Sequence, residues 1–164
     1  MSGLIPAFTI SGLLGTVDKF AKERERQHFE ILSYVGIECV NWAKNNHGYD
    51  DQSGNLTSSI GYAIIVDGNV KSSKFTGETV TSDIDGGNKK TKRMKTSREG
   101  KAYGRIAVQE IAGEFPTGMV LVVVAGMEYA AAVESKGYDV ISGSSYECEE
   151  LMDYMSTHLG EFLS

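Results

Sequence analysis

The stretch "LTSSIGYAIIVDGNVKSSKF", Leu56 to Phe75, decides how the chain is read. Its centre is rich in Ile and Val, residues that suit a pleated, half-buried surface. Asp67-Gly68-Asn69 follows, and Asp-Gly favours a two-residue hairpin because both central positions of that turn need positive φ. The pattern predicts a strand over "LTSSIGYAIIVDG", a hairpin turn, and a returning strand over "VKSSKF". Farther along, "MVLVVVAG" (Met119 to Gly126) is continuous and β-branched, as expected of a strand covered on both faces or central in a sheet. "YDVIS" predicts one more short strand.

Helical patterns flank these strands. From Thr16 to Asn46, Phe20, His28, Ile31, Val35, Cys39 and Trp42 recur at about 3.6 residues, with Leu32 and Ala43 widening the stripe. His28 is read as half-buried, and Gly36 as a kink or a close contact. Such a helix would span about 45 Å, and its early "KERERQ" is charged all round. That part must project into solvent or meet a neighbouring subunit. "GKAYGRIAVQEIAGEF" suits a short helix with Ala102, Ile106, Gln109 or Glu110 and Gly113 on one row, ended by Pro116. "SYECEELMDYMSTHLGEFL" predicts a terminal helix lined by Leu151, Tyr154, Met155, Leu159 and Phe162. Glu147, Glu149 and Glu150 would suit its dipole. The expected class is α+β: one domain over residues 1–164, with long N-terminal and C-terminal helices packed on a small antiparallel or mixed sheet.

Charge and composition narrow the function classes. The net charge of −6 argues against a generic nucleic-acid binder. The apolar runs are too short to cross a bilayer, so no membrane partner is expected. No basic flank precedes the apolar start, so no signal peptide is expected. Cys39 and Cys148 lie far apart without metal-ligand spacing, which fits a reduced cytoplasmic setting, with Cys39 in the core.

The charge is unevenly spread. Between Lys71 and Lys101 stand nine Lys or Arg against four Asp or Glu, a local +5 that leaves −11 elsewhere. This Ser/Thr/Gly-rich segment, residues 71–101, reads as a long loop insertion or an extended hairpin around "DGGN". Its "KKTKR" and the lysine after it (Lys89, Lys90, Lys92, Arg93 and Lys95) would suit an acidic partner or a phosphate backbone.

Catalytic and cofactor patterns are missing. His28, His47 and His158 are scattered, with no zinc-like spacing to each other or to a cysteine. No nucleophile elbow, P-loop or dinucleotide fingerprint occurs, and no cofactor is expected. Glu128 and Glu134 are six apart: on a helix they diverge by about 120°, and on a strand they stand roughly 20 Å apart. Neither arrangement makes an acid–base pair. Tyr129 and Val133, at i and i+4, would instead give a helical turn one apolar edge on the sheet. Ala130 to Ala132 would admit a close neighbour, Glu134 would sit at the rim, and Gly137 would permit a turn.

Two segments together resemble a known family. "SGNLTSSIG" after a long first helix, and "AGMEYAAAVESKGYDV" after a strand, are similar to the head–tail connector, or tail-completion (neck), proteins of tailed bacteriophages. The matching positions are Ser53, Gly54, Asn55, Leu56, Ser59 and Ile60, then Tyr129, Ala130, Val133, Glu134 and Gly137. Lys136 and the basic insertion depart from the family pattern. The resemblance implies a structural virion protein, not an enzyme. It would form a ring in the neck, join portal and head to tail, and line or seal the DNA channel. Its partners would be further copies of itself, the portal or an adjacent neck ring, tail proteins, and DNA in non-specific passage. It would be assembled in the bacterial host cytoplasm.

A ring needs two different faces of one subunit to meet. The helix start with Arg24 and Arg26, and the turn with Tyr129, Ala130, Val133, Glu134 and Gly137, are the candidate halves. Rival readings are a non-viral protein-interaction module, a nucleic-acid module acting through the basic loop, and an enzyme on which Glu128, Tyr129 and Glu134 converge.

Overall fold

A computed structural model describes residues 10–75, 80–85, 88–93 and 97–158. The class is α+β, with a long N-terminal helix, a C-terminal helix and a three-stranded antiparallel sheet. In chain order the elements are α1 (Ile10–Asn45), α2 (Asn55–Ser59), β1 (Ile60–Val66), β2 (Asn69–Lys74), β3 (Val80–Asp85), β4 (Asn88–Arg93), α3 (Arg98–Ala112), β5 (Met119–Ala125), α4 (Ala130–Ser135) and α5 (Ser142–Thr157).

The hairpin forms where Asp-Gly requires it. Asp67 and Gly68 both take positive φ (49° and 74°), and Val66 pairs with Asn69 across the turn. Asp67 also ties in the third strand. Its amide donates to the Gly118 carbonyl at 2.9 Å, and its carboxylate accepts from the Gly118 amide at 2.8 Å. β5 then runs antiparallel to β1, from Val66 opposite Met119 to Ile60 opposite Ala125.

Two strand expectations change, and a third is settled between its two alternatives. "LTSS" is the short helix α2, because its leading amides are held by Asp51 and not by a neighbouring strand. The strand order is β2-β1-β5, so β1 is central and "MVLVVVA" is an edge. Its continuous apolar run reflects cover on both faces: Leu121 and Val123 pack toward the α1 side, Val122 and Val124 toward α3. "YDVIS" forms no strand. Val140 is buried in a loop, and α5 begins at Ser142.

α1 and α5 cover one face of the sheet and α3 the other. Ile60, Tyr62 and Ile64 of β1 join Val40, Ala43 and Leu56 in one core cluster, while Ala63 joins Phe75, Val108 and Val124 in another. Gly36 is a close contact: a Cβ there would meet the Tyr62 ring at 2.5 Å. The expected face of α3 is turned round. Gly100, Gly104, Val108 and Ala112 are buried at four-residue spacing, whereas Ile106 is 53% exposed. The small residues face inward because the helix lies almost on the backbone beneath it.

α1 is 36 residues long, and only its C-terminal half reaches the body. Ile31, Val35 and Cys39 are buried, whereas Phe20 and His28, expected on the same stripe, are exposed. On α5, Met155 is buried and Leu151 half-buried, but Tyr154 is exposed; Leu159 and Phe162 lie outside the described residues. The two cysteines are joined: Cys39 and Cys148, 109 residues apart, form a disulfide between α1 and α5 with Cα atoms 5.7 Å apart. This corrects the reading of both as thiols.

The segment read as a loop insertion contains strands. β2 takes residues to Lys74 and α3 begins at Arg98. Between them β3 and β4 form a two-stranded antiparallel ribbon, with Asp85 opposite Asn88 at its tip. The hairpin alternative around "DGGN" is the one observed.

Candidate interaction surfaces

The first family-like segment is held by one carboxylate. Asp51 accepts from the Gly54 amide at 2.9 Å and from the Thr57 amide at 2.7 Å, capping the five-residue helix α2. α2 then docks on the start of α3. The Ser58 hydroxyl accepts from the Ser97 amide (2.8 Å), Ser97 caps α3 by accepting from the Gly100 amide (3.3 Å), and Asn55 donates to Glu99 (3.3 Å).

The second segment comes to the same place. The Gly126 amide donates to the Ser59 carbonyl at 3.3 Å, which fastens the end of β5 to the end of α2. Tyr129 of the second segment lies near Asp51 and Ser53. Burial first, and then the Asp51 charge, raise its phenol above the ordinary value, while the nearby Ser53 hydroxyl opposes this. The two segments behind the resemblance are thus one joint in space.

Beyond Tyr129 the chain makes the expected helical turn, α4, with a different edge inward. Ala130 is buried and Val133 half-buried against the core, but Tyr129 is largely exposed. Gly137 has φ of 86° and its amide closes the turn on the Glu134 carbonyl at 2.9 Å. Glu134 has a structural task, since its carboxylate accepts from the Ser142 amide, the first of α5, at 2.9 Å. Asp139 does the same for Gly143 at 2.9 Å. The helix dipole is therefore served by two carboxylates from the preceding loop, and no acid lies in the first turn of α5 itself. This replaces the role expected of Glu147, Glu149 and Glu150.

A shallow hollow of about 480 Å3 opens beside α4, lined by Ala125, Ala130, Ala131, Ile141, Ser142 and the rim acid Glu134 among others. Glu128 and Tyr129 do not line it, so the three residues of the enzyme reading do not converge there.

The other candidate half stands apart. Arg24 and Arg26 lie on the projecting part of α1 and are exposed. Arg26 is engaged within its own helix, with Glu23 at 2.5 Å and Glu30 at 2.6 Å. The hydrogen bond from Arg26 holds the Glu23 carboxyl below its ordinary value. No hydrogen bond or ion pair links these arginines to α4 among the described residues.

On the ribbon, Lys89, Lys90, Lys92 and Arg93 occupy β4, opposite Ile84, Asp83, Thr81 and Val80 respectively. Lys95 lies outside the described residues.

Sequence reading missed two buried polar residues. Lys44, in the last turn of α1, is 1% exposed, and burial pushes its ammonium down to about 8, with Lys101 adding to the effect. Tyr49 is pushed up to about 12, mainly by burial. Its hydroxyl and that of Tyr62 are buried without a hydrogen-bond partner among the described residues, Thr57 lying near Tyr49 but outside bonding geometry. Neither residue falls on a motif, and an isolated Lys at a helix end reads as solvated.

Among the described residues no three His, Cys, Asp or Glu side chains gather as a metal site requires, and no helix is long and apolar enough to cross a membrane. Comparison with protein-family models, with curated proteins and with solved structures finds no match to this chain.

Proposed function

We propose that this chain is a structural subunit of a tailed-bacteriophage neck. Copies assemble without catalysis into a ring that joins portal or an adjacent neck ring to the tail and lines the DNA channel. Assembly takes place in the host cytoplasm and the product resides in the virion.

One observation carries the reading: half of the longest helix stands outside the body with an apolar stripe uncovered. Leu14, Val17 and Phe20 are 59%, 54% and 68% exposed. At about 100° per residue they fall on the same side of α1 as the buried Ile31, Val35 and Cys39. A core-type face that continues past the body suits a second copy, and the Ala-lined hollow beside α4 is an unfilled apolar surface elsewhere on the chain. Two unlike faces meeting head to tail give a ring when the rotation closes. The outer edge of β5, "MVLVVVA", has no strand partner among the described residues and invites cover.

The test is imaging of particles assembled without this chain. Full heads separated from tails are the expected result, and normal finished particles overturn the reading. The nucleic-acid rival is addressed by duplex binding against salt, since a phosphate contact must weaken steeply as salt rises.

A further inference from the structure

α1 leaves the body as an arm. Residues 14–26 are exposed on every side, about 20 Å of helix at 1.5 Å per residue. At about 100° per residue, Leu14, Val17, Phe20 and Ala21 fall in one sector of about 120°, and Arg24 falls at its centre. The same sector carries Ile31, Val35 and Cys39 farther along, where Leu151 and Met155 of α5 cover it. The arm therefore presents, uncovered, the face that packs on a helix in the body.

Arg24 is the only formal charge of that sector between Leu14 and Gln27. It makes no ion pair among the described residues, whereas Arg26, on the other side of the arm, is held by Glu23 and Glu30. The stripe does not complement itself. A parallel pair of arms sets Arg24 against Arg24, and an antiparallel pair aligned over the stripe sets it against Leu14. In neither does the stripe offer an acid to the guanidinium.

The hollow beside α4 does offer one. Its 480 Å3 are lined by Ala125, Ala130, Ala131 and Ile141, with Glu134 among the lining residues, and Lys136 does not line it. The alanines end at Cβ, so a helix can approach closely and fill the space with its own larger side chains. Glu134 is half-buried, and one of its oxygens accepts from the Ser142 amide. A carboxylate has a second oxygen with which to accept from a guanidinium. With Phe20 in the hollow, Arg24 lies one turn away, about 6 Å along the arm, at the height of a rim.

We propose that the arm of one copy lies in the α4 hollow of a second copy, with Phe20 against Ala131 and Ile141 and the Arg24 guanidinium on the Glu134 carboxylate. Arm and hollow are different surfaces, so the contact is heterologous and each copy offers one of each to its neighbours. It deepens the ring reading by naming the two faces that meet, and rests on that reading only for closure.

Sedimentation velocity of the full chain tests it by complementation. Phe20→Glu spoils the arm and leaves the hollow intact. Ala131→Trp fills the hollow from an exposed position and leaves the arm intact. Each variant alone should self-associate at least about tenfold more weakly than wild type. An equimolar mixture should form a one-to-one dimer that grows no further, because only one good arm and one good hollow remain. Recovery in the mixture also demonstrates that both variants fold. Arg24→Glu should weaken association by on the order of fivefold or more, and Lys22→Glu, on the opposite side of the arm, should change it little. Ala131→Trp that associates like wild type overturns the proposal, and so does a mixture that stays monomeric. A wild-type chain that remains monomeric at the highest attainable concentration overturns it as well. Open chains of wild type together with the mixed dimer keep the contact and reject the ring. Closed rings that survive both substitutions keep the ring and reject the contact.

Discussion

Gly104 of α3 and Gly126 at the end of β5 stand backbone against backbone, so that a Cβ built on Gly126 falls on the Gly104 backbone. This contact sets how closely α3 lies on the sheet. A Cβ on Gly104 would itself meet the Phe75 ring and the Ser59 carbonyl. Gly104→Ala and Gly126→Ala should therefore each cost about 1–3 kcal/mol through overpacking. Gly113→Ala is the control. Nothing lies within 4 Å of its Cβ position and its φ is −67°, so it should be neutral or stabilising by about 0.5 kcal/mol. Urea midpoints at unchanged m separate these outcomes.

Glu134→Ala should destabilise the protein by about 0.5–2 kcal/mol, the usual range for a lost helix-start acceptor. Glu134→Gln keeps a carbonyl oxygen for the Ser142 amide and gives up only the charge. It should cost less than Ala. Equal losses in thermal melts of the two variants would mean that the carboxylate stabilises α5 by its charge alone.

These two sites mark what was legible in the sequence. The Asp67-Gly68 turn, the long first helix and the order of the main elements follow from local rules that act within a few residues. Glu134 could be read as a rim acid because Gly137 follows it, but its partner Ser142 depended on where α5 begins. The row of Ala102, Ile106 and Gly113 on α3 is not its buried face, because close packing against the backbone beneath puts Gly100 and Gly104 there. "MVLVVVA" resembles a central strand because apolar content reports how many faces are covered, and strand order is a long-range property. The Cys39–Cys148 bond depends on α5 folding back over α1, and the burial of Lys44 on long-range packing that brings Lys101 near it, which no local pattern encodes.

Lys44 and Tyr49 predict an alkaline stability profile. The folded-state pKa of Lys44 is lowered from 10.5 to about 8, so below pH 8 both states are protonated and the folded state holds a buried charge. Between pH 8 and 10.5 the unfolded state holds more protons, and stability should rise by up to about 3 kcal/mol. Tyr49 acts in the opposite sense. Its pKa is raised from 10.0 to about 12, so the unfolded state loses its proton first and stability falls as pH climbs through that window. Lys44→Met should remove the rise above pH 8. Tyr49→Phe should lessen the fall above pH 10 with little change at neutral pH, because its buried hydroxyl has no partner to lose.

The disulfide closes a segment of 109 residues and holds α5 on the buried half of α1. Constraint of the unfolded chain makes such a bond worth about 2–4 kcal/mol. A reductant should therefore lower the melting temperature of the wild-type chain and leave that of Cys39→Ala/Cys148→Ala unchanged. A wild-type melt insensitive to reductant would mean that the bond is not formed under the conditions of the measurement.

Phe20 separates folding from assembly. It is 68% exposed on the half of α1 that lies outside the body, so its replacement removes no core contact. Phe20→Glu should leave the melting temperature of the dilute chain within about 0.5 kcal/mol equivalent of wild type. If a second copy covers Leu14, Val17 and Phe20, the same change buries an unpaired carboxylate in an apolar contact and should weaken association at least tenfold. Val35→Glu, at a position with no exposure, should do the reverse and unfold the monomer. Light scattering and thermal melts on both variants distinguish an assembly surface from a solvated helix arm: equal association of Phe20→Glu and wild type would leave the arm without a partner.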